Sequence, residues 1–305
     1  MVSEILAALA ALCSSLINLA ATERWIRISE RRGLLSRDLH KPGDVMAARI
    51  GGLPLSIVSI LQFSLISLIL GLPPSLVILP VFFSSLGLID DVIGLSNIEK
   101  VILSGIPFLL LHSDFPPFDP FSLLLTHQVT LFLLGTYYVN STNTFAGFNG
   151  LEAGTSLIIS STLSVILLTR GEIKGFIYLL SLSLLLLSFL RYNWYPARAF
   201  PGNVLTFLCG GAIAAASFRH SLYWELAILS IPQGLDFLLK LLSWRRTREK
   251  IPAGVSRDGR LMAPPHLSLP SLLIRLGVRE ERLLVLSLLS LELFLSLLLL
   301  VNLPS

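Results

Sequence analysis

The chain has 305 residues, 53% of them hydrophobic and only 14% charged, with a formal net charge of +4. A soluble domain is about a quarter charged, and a mean hydropathy of +0.78 leaves more Leu, Ile, Val and Phe than one water-facing core can bury. This excludes a soluble globular protein, gives no reason to expect a nucleic-acid partner, and predicts an all-α, polytopic integral membrane protein surrounded by membrane lipids.

A membrane helix needs about 20 apolar residues to cross about 30 Å of hydrocarbon. Ten stretches are predicted to do so, at approximately 2–22, 51–71, 73–89, 99–112, 121–140, 154–169, 173–190, 203–218, 222–243 and 281–302. The first carries Glu4 in place of a basic leader, so no cleaved signal is expected. Gly71-Leu72-Pro73-Pro74 divides the second from the third, because two prolines cannot continue a helix without losing backbone hydrogen bonds. Cys13 and Cys209 lie in apolar runs with no metal or disulfide spacing and read as small core residues. No internal repeat is visible, and the Leu/Ser-rich stretch 179–189 is membrane composition.

Loop parity then divides the polar sequence. Loops after odd spans (23–50, 90–98, 141–153, 191–202 and 244–280) hold nearly all of it, and loops after even spans are little more than turns. The first odd loop has Arg24, Arg27, Arg31, Arg32, Arg37, Lys41 and Arg49. The last has Arg245, Arg246, Arg248, Lys250, Arg257, Arg260, Arg275 and Arg279. The positive-inside rule places this side in the cytoplasm and both termini outside.

Five segments on that side could do chemistry. Asp38-Leu39-His40-Lys41, with Arg49-Ile50-Gly51-Gly52 after it, suits phosphate handling, although a lone loop histidine is often just that. Asp90-Asp91 ends an apolar helix, where a charge at mid-bilayer would be costly. Paired carboxylates suit Mg²⁺ or a general base; they also suit a solvated helix end. Acids there oppose the helix dipole, so a compensating cation is expected, and Lys100 is the candidate. Asn140 to Gly154 interleaves Asn140, Asn143, Asn149 and Glu152 with glycines that admit a ligand close to the backbone. In Arg191 to Asn203, Trp194 and Tyr195 read as an interfacial belt, whereas Phe200 is placed to stack on a ring. Arg248-Glu249-Lys250 could meet a pyrophosphate or anionic headgroups.

In this order the motifs resemble the polyprenyl-phosphate N-acetylhexosamine-1-phosphate transferase superfamily, and most closely its archaeal and eukaryotic branch, which uses UDP-GlcNAc and dolichyl phosphate. The string Ala146-Gly147-Phe148-Asn149-Gly150-Leu151-Glu152-Ala153-Gly154 carries the likeness most specifically. The resemblance implies a ten-helix glycosyltransferase, one transmembrane catalytic domain over 1–305, with cytoplasmic active-site loops in the cell membrane if the source is prokaryotic. It implies transfer of N-acetylglucosamine 1-phosphate from a UDP-sugar donor to a polyprenyl (dolichyl) phosphate acceptor, releasing UMP at the start of lipid-linked oligosaccharide synthesis for protein glycosylation. It implies Mg²⁺, with Mn²⁺ as a substitute, and allows a homodimer. By the same resemblance Asp90, Asp91 and Lys100 are catalytic. Lys41, Gly147, Asn149, Glu152, Phe200, Arg248 and Lys250 bind substrate, and Asn143 and Asn203 hold the metal. The family usually has Asp where Asn203 stands and His where Glu249 stands. Two rival readings are transfer to undecaprenyl phosphate for cell-wall or surface polymers, and a transporter. A transporter would favour an internal repeat and polar groups at mid-membrane, and neither is visible.

Overall fold

The computed structural model describes residues 2–111, 114–116, 124–248 and 251–303. They form a mostly helical, polytopic membrane protein. Among the described residues six helices are long and apolar enough to cross a membrane: α1 (Val2–Arg32), α2 (Gly52–Leu70), α3 (Ser75–Ile93), α6 (Leu151–Thr169), α7 (Ile173–Asn193) and α13 (Glu281–Val301). Between them lie α4 (Asn97–Leu110), α5 (Leu124–Thr144), α8 (Gly202–Arg219), α9 (Tyr223–Leu229), α10 (Ile231–Leu242), α11 (Trp244–Thr247) and α12 (Leu269–Arg275).

Three expectations need correction. The fold is not purely helical: β1 (Leu35–Arg37) pairs antiparallel with β2 (Met46–Ala48), and β3 (Gly254–Val255) with β4 (Leu261–Met262). Pro42-Gly43-Asp44 turns the first pair, with Gly43 at φ +79°. The predicted span 222–243 is two helices. It breaks at Ser230, and Pro232 stands in the first turn of α10, where its missing N–H is harmless. Several helices outrun their apolar stretches. α1 continues to Arg32, supported by an i,i+4 ion pair between Glu23 and Arg27 at 3.5 Å and by Arg31 and Arg32 in its last turn, where cations favour the dipole. α3 likewise reaches Ile93, and Asp90 and Asp91 end that helix as expected.

α8 is the axis of the bundle. Every residue from Val204 to Phe218 is buried, as a helix apolar on all sides requires. α3 and α5 pack along it, α6 packs on α7, and α1 lies against α2 and α7. Glycines let two helices touch the N-terminal turn of α8. A Cβ on Gly87 of α3 would stand 2.6 Å from the carbonyl carbon of Asn203 and 2.7 Å from Val204 Cα. One on Gly52 of α2 would stand 2.6 Å from Leu205 Cβ. Just before α8, the chain runs beside the first loop. The Ala48 N–H donates to Arg198 O (2.9 Å), the Phe200 N–H to Ala48 O (3.0 Å) and the Gly51 N–H to Phe200 O (2.7 Å). The loop segments 48–52 and 198–201, distant in sequence, are therefore one piece of structure.

Candidate active site

A cleft of about 370 Å³ opens where the first loop, the α5–α6 loop and the start of α8 meet. Asn143, Gly147, Asn149, Glu152, Phe200 and Asn203, all predicted from sequence, line it together with Asp38 and His40. Asn143 is on the last turn of α5 and Asn203 on the first turn of α8. Thr206 stands between them: its hydroxyl lies 2.6 Å from Asn143 Oδ1, to which it donates, and 3.2 Å from Asn203 O. Glu152, buried in the first turn of α6, takes the Gly147 N–H on Oε1 at 2.8 Å. Its Oε2 is buried with no hydrogen-bond partner among the described residues. A buried carboxylate oxygen left bare is costly, so the cleft is short of one cation or proton. Two side-chain amides and a carboxylate are hard oxygen donors of the kind Mg²⁺ takes, so the residues present fit that ion.

Behind one wall of the cleft, four residues close a ring. The Asn149 N–H donates to Glu281 Oε1 (2.9 Å). Glu281 Oε2 meets the Lys41 ammonium, which is 3.1 Å from Asp38 Oδ2. Asp38 Oδ2 in turn accepts from Asn149 Nδ2 (2.9 Å). Lys41 also lies over the Tyr195 ring, 4.1 Å from its centroid. Burial pushes the Asp38 carboxyl up, but the hydrogen bonds from Asn149, Lys41 and the His40 backbone outweigh it and hold it below the usual range. The His40 ring stacks on Phe148 at 4.4 Å. Burial is the main cause that lowers its pKa to about 4. Asp38, His40 and Glu281 offer ligand atoms within 4.8 Å of one another, but the Lys41 ammonium already sits on both carboxylates.

The remaining predicted residues lie elsewhere. Asp90 is buried; its Oδ1 accepts from the Leu95 N–H (2.7 Å) and its Oδ2 pairs with Lys100 Nζ (3.0 Å). Lys100 thus compensates the helix-end acid as expected. Asp91 caps α8, taking the N–H groups of Asn203 and Val204 at 2.9 Å each. Neither aspartate nor Lys100 lines the cleft, although Asp91 bonds to Asn203, which does. Lys41 is buried in the ring behind it. Arg248 is exposed, 5.2 Å over the Trp244 ring, and Lys250 lies outside the described residues.

Sequence reasoning gave no role to Glu281, Thr206 or His266. The signals were thin. An acid opening an apolar helix is expected for the dipole alone, and a threonine in a span is ordinary. His266 lines a second cavity of about 280 Å³ with Lys240 and Ser268, and this cavity shares His40, Gly147 and Phe148 with the first. Burial lowers the pKa of His266.

Comparisons with known proteins point to one family. Residues 73–221 match the family described as glycosyl transferase family 4. The chain is 31% identical over 250 residues to a provisionally named glycosyltransferase of Methanocaldococcus jannaschii, covering 80% of this chain and 79% of that one. It is 30% identical over 289 residues to a protein of Saccharolobus solfataricus provisionally named UDP-N-acetylglucosamine–dolichyl-phosphate N-acetylglucosaminephosphotransferase, covering 88% of each. A Dictyostelium discoideum protein bearing that same name is 28% identical over 248 residues, 66% of this chain and 61% of the other.

Proposed function

This chain belongs to glycosyl transferase family 4 and is a phosphotransferase enzyme, and from that premise we propose that it moves N-acetylglucosamine 1-phosphate from UDP-GlcNAc to a dolichyl-type polyprenyl phosphate. UMP leaves, and the product begins a lipid-linked oligosaccharide for protein N-glycosylation. The observation that carries this reading is the cleft itself. Asn143, Asn149, Glu152 and Asn203 converge there beside Phe200 and Phe148, an arrangement suited to a flat base and a charged pyrophosphate. The names of the Saccharolobus and Dictyostelium relatives favour this donor and acceptor. Ten crossings are the topology we adopt: the six long apolar helices plus α4, α5, α8 and the broken α9–α10 pair. The arginine-rich loops support a cytoplasmic side for the cleft.

An oxygen of the lipid phosphate attacks the β-phosphorus in line. The bond from that phosphorus to the bridging oxygen breaks, and the bridging oxygen leaves with UMP. A phosphate monoester loses its second proton near pH ~6, so a neutral medium supplies the nucleophile and little base catalysis is needed. Attraction and positioning are the harder problems. Lys100, held by Asp90 at 3.0 Å, draws in the acceptor phosphate and presents it towards the cleft. A residual proton on that phosphate passes to Asp90. Asp91 acts by holding the first turn of α8, and with it Asn203. Phe200 faces the uracil, and the cationic side chains of Arg248 and Lys250 are assigned to the donor pyrophosphate by their charge. Asn143, Asn203 and Glu152 would hold Mg²⁺, which when bound neutralises the pyrophosphate and polarises its β-phosphorus.

The test is a transfer assay in membranes containing the protein, with labelled UDP-GlcNAc, Mg²⁺ and dolichyl phosphate. We expect a lipid pyrophosphate carrying GlcNAc, together with UMP. No such product, with transfer from another UDP-sugar instead, would overturn the choice of donor. A phosphoryl-aspartate trapped on rapid quenching would overturn the direct attack.

A further inference from the structure

Glu281 lies 240 residues from Lys41, yet the two touch behind the cleft. Asp38, Lys41 and Glu281 are all buried, and a buried charge is retained only when partners surround it. What the ring holds is Asn149, gripped twice: by its backbone N–H through Glu281 and by its side-chain amide through Asp38.

This settles which way the amide points. A carboxylate can only accept, so the group facing Asp38 must be Nδ2. Asn149 Oδ1 has no partner among the described residues and remains for the cleft that Asn149 lines. An Asn free to turn could offer either an acceptor or a donor there. This one offers an acceptor.

We propose that the ring of Asp38, Lys41 and Glu281 is a specificity-determining clamp that keeps Asn149 Oδ1 turned to the cleft, so that the site selects a base whose pairing edge carries a ring N–H donor. Uracil presents N3–H on that edge. Cytosine presents a bare N3, which would face Oδ1 acceptor to acceptor. Glu281 and Lys41 touch no substrate in this scheme. They are positioning residues acting through Asp38 and the Asn149 backbone. The inference rests on the nucleotide-donor reading above and adds how the base is chosen.

The experiment measures equilibrium binding of UMP and CMP to the purified full-length protein in detergent, for the natural chain, Asp38→Asn and Lys41→Met. The natural chain prefers UMP, by about 10- to 100-fold if one mismatched hydrogen-bond pair decides. Asp38→Asn is nearly isosteric. It frees Asn149 to turn, so the preference shrinks towards one because CMP binding improves, a change that general damage would not produce. Lys41→Met loosens the Asp38 carboxylate and shrinks it in part. A variant that loses UMP and CMP binding equally, or that keeps the full preference, overturns the clamp. A natural chain that binds neither nucleotide overturns the donor reading instead, so the two failures are told apart.

Discussion

Replacing Gly87 by alanine tests the helix contact on which the cleft depends. The added Cβ would stand 2.6 Å from the Asn203 carbonyl carbon and 2.7 Å from Val204 Cα. Carbon atoms in comfortable contact are about 3.5–4.0 Å apart, so α3 and α8 must separate by about 1 Å. The obstacle is backbone, which no rotamer change can move aside. Overpacking of this kind costs about 1–3 kcal/mol. The shift falls on Asn203, a cleft residue whose N–H is also tied to Asp91, and a 1 Å misplacement near the chemistry can cost about 100-fold in rate. We therefore expect Gly87→Ala to lower kcat/KM by about that factor while the protein still inserts and elutes as a folded particle. Ser85→Ala, exposed two residues earlier on the same helix, is the control and should change nothing. Transfer kinetics and thermal unfolding in detergent provide both readings. If Gly87→Ala keeps natural rates and stability, the close crossing of α3 and α8 is wrong, and so is the placement of Asn203 derived from it.

Three further outcomes follow from the same geometry. Asp91→Ala removes the acceptor for two N–H groups of α8 and should cost about 1–2 kcal/mol of stability. Asp91→Ser should recover part of it, and substantial kcat should survive at low temperature; abolished turnover in a stably folded protein would return Asp91 to the chemistry. Lys100→Met should raise KM for the polyprenyl phosphate about tenfold or more and leave KM for the UDP-sugar unchanged. Because Lys100 and Asp90 are one ion pair, combining it with Asp90→Asn should cost less than the sum of the two. The third concerns pH. His40 titrates near 6.5 when unfolded and at about 4 when folded, so between those values the unfolded chain binds the extra proton. Its contribution is complete above pH 6.5 and is lost as pH falls towards 4, at most about 3 kcal/mol. Unfolding temperatures measured from pH 4.5 to 7.5 should fall more steeply for the natural chain than for His40→Gln; parallel curves would refute the burial of His40.

Sequence alone carried the class of the fold and much of the cleft. Asn143, Gly147, Asn149 and Glu152 were legible because they lie close together in a stretch too polar for a turn. The break at Ser230 was legible as well, since Pro232 stands inside the predicted span and a proline ends a helix near itself. The apolar residues on both sides, Leu226 to Leu229 and Ile231, hide it. What could not be read was pairing across distance. Asp38 reads as part of a phosphate-handling motif and Glu281 as an ordinary acid opening a helix, and only the fold shows one lysine between them. Asp91 is the converse case: beside Asp90 it reads as half of a catalytic pair, while its oxygens are occupied by a helix more than a hundred residues later.

The contact between Lys41 and Glu281 also fixes when the enzyme can become complete during its own synthesis. Translation proceeds at about 5–20 residues per second, so the 240 residues between them take about 12–48 s to make. Throughout that interval Asp38 and Lys41 have each other but lack their third member, and Asn149, once made, is held on one side only. The cleft is therefore finished only when α13 has left the ribosome, and a chain that stops short of α13 carries the cleft residues without the part that locks them in register.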